Sequence, residues 1–103
     1  MADNTEQIRF LWDIAEEASE RRDALTETTD LRQDRIDWDG SARPRLEQVF
    51  GKGDVASGFN NPDEAGSLAE YPDQSAALVA ATELYDTDIK YFQAVRKSLA
   101  KPQ

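Results

Sequence analysis

The chain of 103 residues contains no cysteine and no histidine. The first absence excludes disulfides, zinc–thiolate and iron–sulfur sites and thiol nucleophiles. The second removes the Ser-His-Asp triad, most zinc and haem sites, and the side chain that usually serves as a near-neutral general base. Basic residues are scarce too: 12 Lys and Arg against 21 Asp and Glu leave a net charge of −9. Nucleic acid and anionic membranes both demand a basic surface, so direct binding to either is not expected. No window approaches the roughly 18 consecutive apolar residues of a membrane span. The opening Met1-Ala2-Asp3-Asn4-Thr5-Glu6 is acidic and polar, unlike the basic-then-apolar start of a secretory signal, and a cytoplasmic setting is the expectation that follows. The composition predicts no cofactor, no metal and no catalysis.

Large apolar residues are also few. Leu, Ile, Val and Phe total 20, near the roughly one-fifth level below which highly charged chains tend to be disordered. Fourteen Ala, two Trp and three Tyr offset this, because alanine favours helix and the aromatics bury large areas. The length suits one domain, residues 1–103, and the predicted fold class is all-α. With a thin core, two long antiparallel amphipathic helices are expected, completed by short helices and loops or against a partner, which is another protein or a second copy.

The periodicity places those helices at the two ends. Ile8, Leu11, Ala15, Ala18 and Leu25, with Arg22 in the series, fall on one 3-4 stripe, which predicts a first helical region over 4–36. Phe10, Trp12 and Ile14 widen the stripe, so its first turns should be the best buried. Asn4 and Gln7 have capping-box spacing, and Glu17 to Arg21 is an i,i+4 pair. The polar run Thr26-Glu27-Thr28-Thr29-Asp30 weakens the pattern. It allows a restart from a Thr28 or Thr29 cap, although a continued or kinked helix is the preferred reading. Asp37-Trp38-Asp39-Gly40-Ser41 has turn composition, and Ser41 with Pro44 can open a short helix that stops at Gly51. Residues 37–72 thus read as turn, short helices and loops, with another start at Asn61-Pro62. Pro72 and Asp73 open the last helix, 73–100, whose stripe is Leu78, Ala81, Tyr85, Asp88, Phe92, Val95 and Leu99. Arg22 and Asp88 each intrude on a stripe, which predicts either a pair across the seam or two charges at its edge.

Motifs with possible chemistry fail on their spacing. Set against an EF-hand loop, Asp37 and Asp39 with Gly40 would put Arg35 and Leu46 where calcium needs carboxylates. Gly51-Lys52-Gly53 lacks the phosphate-loop frame. Glu16–Glu20 and Asp86–Asp88 would need a cleft and a raised pKa to act as acid and base. Trp38-Asp39-Gly40-Ser41-Ala42, followed by Leu46 and Phe50, resembles the W-x-G turn of the WXG100 (ESAT-6-like) family. That resemblance implies a helical hairpin exported by type VII secretion as a dimer. The sequence departs from the family at Pro44, Gly51, Gly53, Gly58 and Pro62, which interrupt the second helix. The Tyr-x-x-x-Asp/Glu signal has no match either, since Ile89 and Val95 follow Tyr85 and Tyr91 at that spacing.

The leading functional expectation is a non-enzymatic helical interaction protein with Trp12, Tyr91 and Phe92 as contact residues. An alternative is an acidic mimic of nucleic acid that blocks a basic groove. Its face would be the base-free run Asp54, Asp63, Glu64, Glu70, Asp73, Glu83, Asp86 and Asp88. A solvated surface is the usual fate of such a run.

Overall fold

The computed structural model describes residues 4–59, 66 and 68–100. It is helical: α1 (Thr5–Ala24), α2 (Leu31–Phe50), α3 (Asp54–Gly58), a 3-10 turn (Leu68–Glu70) and α4 (Gln74–Ala100), with no strand among the described residues. Asn4 Nδ2 donates to the Leu99 carbonyl at one end of the α1–α4 pair, and Arg22 meets Asp86 at the other. These two helices are therefore antiparallel, as their stripes predict. Phe10 packs on Phe50 and Arg21 pairs with Asp34, so α2 also runs antiparallel to α1 and parallel to α4. The result is a rod of 51 × 22 × 18 Å.

The first helical region does not reach residue 36. It ends at Ala24, where hydroxyl groups take over the local hydrogen bonding: the Thr26 N–H donates to Thr29 Oγ1 and the Thr28 N–H to Thr26 Oγ1. Short hydroxyl side chains compete with the helical ladder in this way. The restart is capped by Asp30, one residue beyond the two threonines considered, with its Oδ1 accepting from the Gln33 N–H at 3.1 Å. Asn4 makes no capping bond to Gln7. Arg21 and Glu17 do not pair with each other but reach α2, at Asp34 and Arg45.

The turn expected at 37–41 is helix instead, the middle of α2. Leu31, Arg35, Trp38, Ala42 and Leu46 are all buried on one stripe, so tertiary burial overrides the turn-forming residues around Trp38. The calcium and W-x-G turn readings fall with that turn: Asp37 accepts from Gln33 and Asp39 pairs with Arg43, both four residues apart on the helix surface. Pro44 removes the N–H that would bond to the Gly40 carbonyl, while Arg45 Nε donates to the Ser41 carbonyl at 3.1 Å beside the gap. A methyl at Gly40 would touch nothing within 4 Å. Gly40→Ala is therefore expected to raise stability by about 0.5–1 kcal/mol through helix propensity alone. A lowered urea midpoint would mean residues 38–41 are not helical.

Gly51 ends α2 as predicted, with φ +83° and its N–H on the Glu47 carbonyl at 2.8 Å. The segment after it is more ordered than a loop. The α3 turn is held by Tyr91, whose hydroxyl donates to the Val55 carbonyl at 2.6 Å, and by Arg43, which donates to the Ala56 carbonyl at 2.7 Å. Phe59 then enters the core and stacks on Phe92, ring centroids 5.4 Å apart. The helix start expected at Asn61-Pro62 lies outside the described residues. At α4 the Asp73 cap forms, Oδ1 accepting from the Ala76 N–H at 2.7 Å.

Candidate functional site

Two polar constellations organise the bundle, one buried between α2 and α4 and one on the outer surface between α1 and α4. Arg22 and Asp88 do not meet. Arg22 stays at the edge and bonds Asp86 at 2.6 Å, while Asp88 turns inward. Its Oδ2 accepts from Arg35 at 2.7 Å and from Trp38 Nε1 at 2.9 Å. Arg35 and Asp88 are each about 2% exposed. The Arg35 guanidinium lies over the Tyr85 ring, 5.2 Å from its centroid. The Tyr85 hydroxyl donates to Asp34 Oδ2 at 2.5 Å and accepts from Arg21 Nε at 3.2 Å. Buried charges carry a large desolvation cost and are tolerated only when paired in good geometry, so this network fixes how α1, α2 and α4 align.

Burial pushes the Tyr85 hydroxyl above its ordinary value of 10.0; the Arg21 hydrogen bond opposes the rise and the bond to Asp34 adds to it. Burial alone would lower Arg21, but its contacts with Tyr85 and Asp34 raise it overall. Burial also raises Tyr91, with Asp54 adding to the effect. A raised folded-state pKa means the native protein holds a proton that the unfolded chain releases above pH 10. Stability is then intact below that pH and falls as pH climbs toward the folded-state value, by up to about 1.4 kcal/mol per unit per group. Urea midpoints are expected to be flat from pH 8 to 9 and to drop above 10, less steeply in Tyr85→Phe. An unchanged midpoint at pH 11 would contradict the buried hydroxyl.

The expected contact residues separate. Phe92 is fully buried against Phe59 and belongs to the core, because it continues the buried stripe of Ala81, Tyr85 and Asp88. Tyr91 is half-buried and committed to α3. Only Trp12 is open, at 57% exposure, one helical step off the buried Leu11, Ile14, Ala15 and Ala18; the expectation of well-buried first turns fails for it. The eight acids do not form one face. Asp88 is buried, Asp86 is paired with Arg22 and Asp73 caps α4, while Asp54, Glu70 and Glu83 are exposed. Asp63 and Glu64 lie outside the described residues.

The outer constellation is a groove of about 350 Å³ between α1 and α4. Trp12, Ala15, Glu16, Ser19 and Arg22 line it from α1, and Ile89, Gln93 and Arg96 from α4. At one end the Arg96 guanidinium stacks over the Trp12 ring, 3.6 Å from its centroid. At the other, Arg22 holds Asp86 and accepts help from Ser19, whose Oγ receives a second Arg22 bond at 3.1 Å. Sequence reasoning missed this surface although a signal existed. Positions 12, 15, 19 and 22 also keep 3-4 spacing, sharing Ala15 and Arg22 with the first α1 stripe, and positions 86, 89, 93 and 96 form a second, less greasy stripe on α4.

A shallower depression of about 190 Å³ is lined by Arg43, Glu47, Lys52, Ala56 and Ser57. Arg43 is already engaged there by Asp39 and Ala56. Among the described residues no group of three or more Asp or Glu could hold a metal ion, and no helix is long and apolar enough to cross a membrane. Comparison with protein-family models, curated proteins and solved structures gave no match.

Proposed function

We propose that this protein is a non-enzymatic helical interaction protein, an adaptor, assembly factor or small structural subunit, and that the outer α1–α4 groove is its contact surface. The observation that carries the reading is Trp12. A tryptophan buries about 150–250 Å² when covered, and leaving most of it in water forfeits a large favourable term. Contact surfaces concentrate their binding energy in such exposed Trp and Arg side chains, and here the two are stacked together. One acid and two bases line the groove, Glu16, Arg22 and Arg96, and Asp86 at its edge neutralises Arg22. It is a neutral strip on a chain of net charge −9, where a partner meets no repulsion.

A photo-crosslinking residue placed at Gln93, in the groove, is expected to give protein adducts in the cells that make this chain. The same residue at exposed Gln48 on α2 serves as the control, and Trp12→Ala should suppress the Gln93 adducts. Absence of adducts from Gln93, or equal adducts from Gln48, overturns this assignment of the surface.

A further inference from the structure

We infer that the occupant of the outer groove is a second copy of this chain, laid antiparallel across it about a two-fold axis. The inference rests on the groove reading above and adds the partner.

The argument is the order of side chains along the groove. Along α4 it runs Ile89, Gln93, Arg96, with Asp86 one turn before Ile89 and bonded to Arg22; along α1, in the opposite direction, it runs Arg22, Ser19, Glu16, Ala15, Trp12. One end is therefore an Arg22–Asp86 ion pair and the other a Trp12–Arg96 stack, with Ala15, Ser19, Ile89, Gln93 and one acid, Glu16, between. Asp86 and Arg96 are ten residues apart, about 15 Å on a helix. A two-fold axis crossing midway between Ile89 and Gln93 sets Arg96 of each copy opposite Asp86 of the other. The same axis sets Trp12 opposite Arg22. Each copy thereby gains a carboxylate for Arg96 and a second cation for the Trp12 face, and the two contacts recur by symmetry, as an isologous interface requires.

The charge polarity of α4 acts in the same direction. Its first half carries Glu83 and Asp86 outward, and its second half carries Lys90, Arg96 and Lys97. Antiparallel pairing sets acid against base, whereas parallel pairing sets like against like. Among the described residues Arg96 has no carboxylate within ion-pair distance, so one end of each groove offers a guanidinium fork for the incoming Asp86. Size permits the contact: the 51 × 22 Å profile of the rod exceeds the roughly 800 Å² per partner of a standard interface.

Sedimentation equilibrium of the purified chain tests this, with circular dichroism confirming that each variant is folded. The wild type is expected to dimerise, more weakly as salt rises. Arg96→Glu and Asp86→Arg, each placing like charges across the two-fold, should each raise the dimer Kd about tenfold or more. Combined in one chain they restore opposite charges at both contacts, and the Kd should return to within about threefold of the wild type. Because the chain has no cysteine, a mixture of Gln93→Cys and Ile89→Cys chains provides an independent reading: oxidation should join one to the other, and should not join Gln93→Cys to a Gln48→Cys control. A wild type that stays monomeric at millimolar concentration overturns the inference, as does a double variant no tighter than the singles. Adducts from Gln93 to a chain of different mass would overturn the second copy while leaving the groove as the contact surface; no adducts at all would remove both.

Discussion

Asp88→Ala is expected to cost about 3–5 kcal/mol of unfolding free energy, the range for removing one partner of a buried ion pair. The carboxylate accepts from both Arg35 and Trp38 Nε1, so its loss takes the counter-charge from a guanidinium that is 2% exposed and the acceptor from an indole N–H at the centre of the bundle. Domains of this size hold about 5–15 kcal/mol in total, so the variant should lose most of its margin. Replacing both charges with apolar residues of similar volume, Arg35→Met with Asp88→Leu, should recover most of the loss, since no buried charge is then left over. Urea unfolding followed by Trp38 fluorescence measures all three proteins. A single-variant loss below about 1 kcal/mol would mean the pair is solvated rather than buried.

Phe92→Ala is expected to cost about 3–5 kcal/mol, by lost transfer energy and the cavity left behind. The ring is fully buried, stacked on Phe59 at 5.4 Å and near Tyr91 at 6.0 Å, so little can collapse into the space. Trp12→Ala should differ sharply, costing no more than about 1 kcal/mol, because the ring is 57% exposed and loses chiefly its stacking with Arg96. Denaturation of the two variants under the same conditions separates core from surface. Equal losses would place both aromatics in one packed environment.

Those two aromatics show where sequence reading succeeds and where it stops. Phe92 and Trp12 look alike as members of amphipathic stripes, and both read as contact residues. The stripe through Tyr85, Asp88 and Phe92 has strict helical spacing and is buried from Ala81 to Phe92. Trp12 follows Leu11 directly, about 100° around the helix, and only the position of the neighbouring helices decides which of the two is covered. The same holds for charge. Asp88 on a greasy stripe is legible as an anomaly, but its partner Arg35 sits in a segment whose composition suggests weak helix before a turn. Nothing local announces that α2 runs through Asp37-Trp38-Asp39-Gly40.

The sequence by itself determined that this chain is helical, that its two ends carry long amphipathic helices packed antiparallel, that Gly51 stops a helix and that Asp73 starts one. These follow from periodicity, dihedral preference and capping, which act within a few residues. The tertiary structure decided that Trp38 belongs to a continuous helix, that Arg35 rather than Arg22 answers Asp88, and that Trp12 faces a groove. Each depends on burial and electrostatic pairing between residues distant in the chain, whose free energies outweigh local preferences of about 0.7 kcal/mol or less for ordinary residues, about 1 for Gly40 and about 3 for Pro44.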